Sequence, residues 1–97
     1  MKPVEFHPDA ESELDEAVAF YDAKSLRIGS EFDGTIAAAV EYLRKNPEAG
    51  PPVRGLLRRW LVRRFPYSII YREEPGRLYI LAIAHHRQKP DHWLKRV

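Results

Sequence analysis

The chain has 97 residues, 44% hydrophobic and 31% charged, the balance expected of one folded domain spanning residues 1–97. It contains no cysteine, which excludes disulfides, thiolate metal sites and a cysteine nucleophile. The net charge of +2 hides an asymmetry: residues 1–50 hold 5 Lys/Arg against 11 Asp/Glu, and residues 51–97 hold 11 Lys/Arg against 3 Asp/Glu. The halves therefore carry −6 and +8. Nine of the eleven cations in the second half are Arg, which suits bidentate contacts with phosphate or carboxylate and predicts an anionic partner. No apolar run approaches the roughly 18 residues of a membrane span, and the first residues lack the apolar segment of a signal peptide. The expectation is a cytoplasmic protein with no membrane partner.

Residues 2–6 alternate weakly and predict a first strand, with Pro3 at its start. Pro8 sits where a first helical turn tolerates proline, and Asp9, Glu11 and Glu13 follow near the positive helix end. Ala10, Leu14, Ala17, Val18 and Tyr21 share one helical face, so a helix is predicted over Pro8–Lys24. Ser25 caps a second helix, in which Ile28, Phe32, Ile36, Ala39, Val40 and Leu43 repeat the spacing until Asn46-Pro47 stops it. Two helices joined so tightly fold back as an αα-hairpin. Most acidic residues lie on its outer faces, where solvation is the simple explanation.

Residues 47–55 are rich in Pro and Gly and read as a loop. Residues 58–64 alternate, which puts Leu57, Arg59, Leu61 and Arg63 on one face and Arg58, Trp60, Val62 and Arg64 on the other. A strand is predicted over Tyr67–Glu73, then a type II turn at Glu74-Pro75-Gly76-Arg77, then a nearly continuous apolar strand over Leu78–Ala84. Pro90 breaks the chain, and Asp91–Arg96 fits one short helical turn carrying Trp93. The fold class is α+β: an N-terminal strand, an αα-hairpin and a three-stranded antiparallel meander, β-α-α-β-β-β, with the helices on one sheet face.

There is no Gly-rich phosphate loop, no Gly-x-Ser-x-Gly elbow and no His-Glu-x-x-His pair. His85 and His86 are adjacent and face opposite ways on a strand, so the histidine spacing predicts no metal site, and no cofactor is expected. The suggestive set is Arg58, Arg59, Arg63 and Arg64 with His85-His86-Arg87. Phosphodiester chemistry needs cations on its oxygens and a group titrating near neutral pH, a role open to His and closed to Arg. The plain alternative is that the histidines merely end a strand. Trp60, Tyr67, Tyr71, Tyr79 and Trp93 lie in the same half and suit base stacking or a core, with the core favoured for Trp60 and Tyr71.

Three stretches carry a resemblance: His7-Pro8 with Ala10 and Glu13-Leu14; Phe65-Pro66-Tyr67-Ser68-Ile69-Ile70-Tyr71-Arg72; and Ile83-Ala84-His85-His86-Arg87-Gln88-Lys89-Pro90 followed by Trp93. In this order and at this length, nearly the whole chain resembles the RelE/ParE family of toxins from type II toxin–antitoxin pairs. The Phe-Pro-Tyr and His-His-Arg signatures lean toward its plasmid-stabilisation, ParE-named branch. The resemblance implies a growth-inhibiting toxin held by a cognate antitoxin. RelE-like members cleave mRNA on the ribosome without metal, whereas ParE-like members poison DNA gyrase and lack the nuclease set. As an endoribonuclease, the chain would hold the scissile phosphate with Arg59 and Arg63 and protonate the leaving oxygen with His86. Arg64, Arg87 and Trp93 would bind substrate, Trp93 by stacking a base. Residues 53–72 carry no Asp or Glu, so the resemblance assigns no general base.

Overall fold

The structure is a computed structural model and describes residues 2–97. The first helix, α1 (Pro8–Lys24), begins where His7 Nδ1 accepts the Asp9 amide and Pro8 occupies the first turn, where its missing N–H costs nothing. Ser25 ends α1 and caps α2 (Leu26–Lys45), its hydroxyl accepting the Ile28 amide. The two helices touch closely at Gly29, where any Cβ would overlap the Asp22 carboxylate. Both helices match their predicted spans.

Five strands form one sheet: β1 (Val4–Phe6), β2 (Pro52–Arg54), β3 (Leu57–Leu61), β4 (Tyr67–Glu74) and β5 (Arg77–His85), in the order β1-β5-β4-β3-β2. A 3-10 helix over His92–Arg96 ends the chain. β2, β3, β4 and β5 run antiparallel in succession, while β1 pairs parallel to β5 with Val4 opposite Leu78. The predicted three-stranded meander is thus incomplete. The expected Pro/Gly loop contains β2, which hairpins onto β3 through Gly55 at φ 54°. The expected type II turn is also corrected: among the described residues Gly55 is the glycine with positive φ, and Gly76 lacks the value that turn requires.

The helices cover one sheet face. Phe32, Ile36 and Leu43 from α2 and Ala10 and Ala17 from α1 pack against Tyr67, Ile69, Tyr71, Leu78, Ile80 and Ile83. The other face holds a second cluster of Leu57, Ile70, Leu81, Ala82 and Ala84, closed by Trp93. A bulge explains why β5 reads as continuous apolar sequence. Ile70 pairs with Ala82 and Tyr71 with Ile80, so Leu81 is the extra residue and the alternation changes phase there.

The loop into β2 is pinned by buried Tyr71, whose hydroxyl donates to the Pro47 carbonyl at 2.8 Å and accepts the Gly50 amide at 2.9 Å. Gly50 is required at this point, because a Cβ would lie 2.7 Å from Tyr71 Oη and 2.8 Å from the Arg59 carbonyl.

Candidate functional site

On the face away from the helices, β3 presents Arg59 and β4 presents Ser68. The side chains meet because the strands are antiparallel neighbours in register, Leu61 opposite Ser68 and Arg59 opposite Ile70. Arg59 Nε donates to Ser68 Oγ at 3.0 Å, and Ser68 Oγ lies 3.0 Å from Nε2 of His86, the residue that follows β5. His86 is held there by its own amide, which donates to the Pro66 carbonyl at 2.8 Å. Ser68 is 2% exposed, whereas Arg59 and His86 are exposed. A buried hydroxyl thus ties together two side chains that reach solvent.

This trio bounds a cleft of about 170 Å³ whose far wall is the C-terminal segment, with Lys89, Asp91, His92 and Trp93. That wall is fastened to α1. Arg96 makes a bidentate ion pair with Glu13 at 2.8 Å on both oxygens, and donates to the Leu81 carbonyl at 3.1 Å. Glu13 also accepts the Ile83 amide at 3.0 Å and lies 3.3 Å from His92 Nε2. These groups occupy the β5 edge beyond the point where β1 ends. Burial disfavours the charged Glu13 carboxylate, but hydrogen bonds from Arg96 and the Ile83 amide outweigh it and hold its pKa below the ordinary glutamate value.

Of the residues predicted to act together, Arg59, His86 and Trp93 line the cleft, and Arg63, Arg64 and Arg87 do not. β3 stops at Leu61, and the chain bends through Arg63 and Arg64, the latter at φ 70°. Arg63 consequently lines a groove against α2 with Tyr42 and Trp60, away from the cleft. Arg64 bonds Glu31 on α2 at 2.9 Å. Arg87 faces a different groove, beside Glu16 and Phe20 of α1. Trp93 does border the cleft but is 6% exposed, so its ring packs the sheet and leaves no face to stack a base. Arg58 is spent on the loop, donating to the Gly50 carbonyl at 2.7 Å. Sequence reasoning passed over Ser68 and Glu13. A lone polar residue inside the apolar strand Tyr67–Tyr71 was the available signal for Ser68; Glu13 was read only as a helix-start acid, because its partners lie 70 or more residues away.

No group of three or more His, Asp or Glu side chains that could hold a metal ion occurs among the described residues. Among the described residues no helix is long and apolar enough to cross a membrane.

A two-helix layer on a mixed five-stranded sheet, with a cleft bearing Arg59 and His86 opposite the helices, makes a small α+β domain. The family model described as ParE toxin of type II toxin–antitoxin system, parDE, matches residues 4–90, and the chain belongs to that family. Among solved structures it is similar to the chromosomal ParDE toxin–antitoxin system from P. aeruginosa, at 27% identity and a TM-score of 0.65 over 88% of this chain and 96% of that one. No match was found among curated proteins. As the toxin of a type II pair, the chain has an antitoxin for a partner.

Proposed function

We propose that this toxin stops growth by binding and poisoning DNA gyrase. The observation that carries the reading is the divergence of the nuclease set: Arg59 borders the cleft, Arg63 lines a groove on α2, and Trp93 is buried. A binding toxin needs a complementary surface and no proton shuttle. Supercoiling by purified gyrase at stoichiometric toxin tests it directly. Inhibition is expected, and His86→Ala should inhibit as strongly as the unmodified chain. Unimpaired supercoiling would end this reading.

A second reading, ribosome-dependent cleavage of mRNA, is favoured by one observation: Arg59 and His86 share the Ser68 hydroxyl. Under it, primer extension after expression would show broken transcripts, and His86→Ala would lower cleavage by about 10²–10⁴-fold. Intact transcripts in arrested cells exclude it.

For the antitoxin, the supported surface is the basic half. Arg54, Arg59, Arg63, Arg87, Lys89 and Lys95 make no ion pair among the described residues. An apolar groove of about 440 Å³ between Pro51, Val53, Trp60 and Leu61 adjoins Arg59. An acidic segment with apolar anchors fits both features, charge speeding the encounter and burial supplying the affinity.

A further inference from the structure

Ser68 is buried at 2% exposure, and the hydrogens around its hydroxyl can be traced one by one. We infer that Ser68 is a positioning residue that fixes the neutral His86 ring in the tautomer with its proton on Nδ1. Arg59 Nε carries a hydrogen and has no acceptor capacity, so Ser68 Oγ accepts at that contact. The serine has one proton of its own to place. The only other partner of Oγ among the described residues is His86 Nε2, at 3.0 Å. The neighbouring Ile70 and Ala84 side chains offer no acceptor.

Were Nε2 the protonated nitrogen, two donors would converge on one oxygen and the Ser68 O–H would have no acceptor among the described residues. Such an unmade hydrogen bond is costly for a hydroxyl in a residue 2% exposed. With Nε2 as acceptor every group is satisfied: guanidinium to hydroxyl, hydroxyl to imidazole. In a neutral ring the remaining proton then sits on Nδ1. Nδ1 makes no hydrogen bond among the described residues and is left for a ligand. His86 therefore meets that ligand as a hydrogen-bond donor, through Nδ1–H. A donor of this kind, beside the guanidinium nitrogens that Ser68 does not occupy, suits an oxyanion such as a phosphate group. For RNA cleavage, which rests on the second reading above, the neutral ring would hold the phosphate through Nδ1–H; it gives a proton to the departing oxygen only after taking up a second proton on Nε2, where the Ser68 contact then reverses. The tautomer itself rests only on the hydrogen bonding.

The experiment is a long-range ¹H–¹⁵N correlation spectrum of the histidine rings in the full chain, at a pH where His86 is neutral. The expected spectrum shows His86 with a protonated Nδ1 and an acceptor-type Nε2. Ser68→Thr, which keeps the hydroxyl, should preserve that pattern, and Ser68→Ala should lose it while the backbone amide spectrum stays dispersed. A proton on Nε2 in the unmodified chain overturns the inference, as does an unchanged tautomer in folded Ser68→Ala. If Ser68→Ala does not fold, the unmodified and Ser68→Thr spectra decide. Intact RNA alongside an Nδ1–H spectrum would remove the RNA-cleaving reading and leave the tautomer standing.

Discussion

Glu13 shows how one carboxylate secures a distant segment. Its side chain is 14% exposed and that of Arg96 is 12% exposed, so Glu13→Gln leaves a largely buried guanidinium with only the exposed Asp9 carboxylate, 3.6 Å away, as a charge partner. Charge-assisted hydrogen bonds of this kind contribute about 1.5–3 kcal/mol, and a loss of that size is expected in urea unfolding at neutral pH. The sign of the pH dependence follows from the lowered pKa of Glu13. A carboxylate whose folded pKa lies below its unfolded one stabilises fully above the unfolded value, about 4.3 for glutamate, and the gain is lost as pH falls through the folded value. Unmodified protein should therefore lose stability in that acid window, and Glu13→Gln should show a shallower loss. Equal slopes would mean that the pair contributes nothing. At this scale the sequence was only partly legible. Arg59 was placed on the correct face, but Arg63 was placed beside it by an alternation that holds only while a strand persists. The strand stops at Leu61, and the bend beyond it, with Arg64 at positive φ, is announced by no residue type there.

Among the elements, helices were legible because their signals are local. Pro8, Ser25 and Asn46-Pro47 mark the ends of α1 and α2 within a residue, and the apolar spacing does the rest. Strands depend on partners. β2 was hidden by Pro51 and Pro52, which are tolerated because β2 is an edge with one neighbour. The pairing of β1 with β5 joins residues 74 positions apart, Val4 with Leu78, and leaves no trace in local pattern. The loop ahead of β2 offers a test of element-level packing. Gly50→Ala would force a Cβ against the Arg59 carbonyl and Tyr71 Oη, and overpacking of this kind costs about 1–3 kcal/mol. Tyr71→Phe would strand the Gly50 amide and the Pro47 carbonyl, also about 1–3 kcal/mol. Because both changes disturb one contact, the double variant should lose less than the two single losses combined. Chemical denaturation of the four proteins measures this, and strict additivity would mean that the loop and Tyr71 are uncoupled.

Across the whole molecule, the charge division seen in the sequence survives folding only in part. Arg72 and Arg77 pair with Glu74, Arg77 reaches Glu5, Arg64 reaches Glu31 and Arg96 reaches Glu13. The cations left over, among them Arg59 and Arg63, would steer an acidic antitoxin. Its association rate should fall as salt rises, since exposed charges are screened beyond about 8 Å at physiological ionic strength. Arg59→Glu and Arg63→Glu should each slow association at low salt and flatten the salt dependence. Stopped-flow mixing with the antitoxin at two salt concentrations reads both effects. A rate indifferent to salt and to charge reversal would place the antitoxin elsewhere.

The parallel pairing of β1 with β5 also governs when the toxin comes into being. While the ribosome still holds the last residues, β1 has no strand to join and Glu13 has neither the Ile83 amide nor Arg96 to bind. The cleft also lacks the wall supplied by Lys89–Trp93. A nascent chain can build its helical hairpin from local contacts, yet completion waits for β5 and Arg96 because long-range pairings form last. The surface formed by the cleft and the segment beyond β5 is thus the last part of this fold to be assembled.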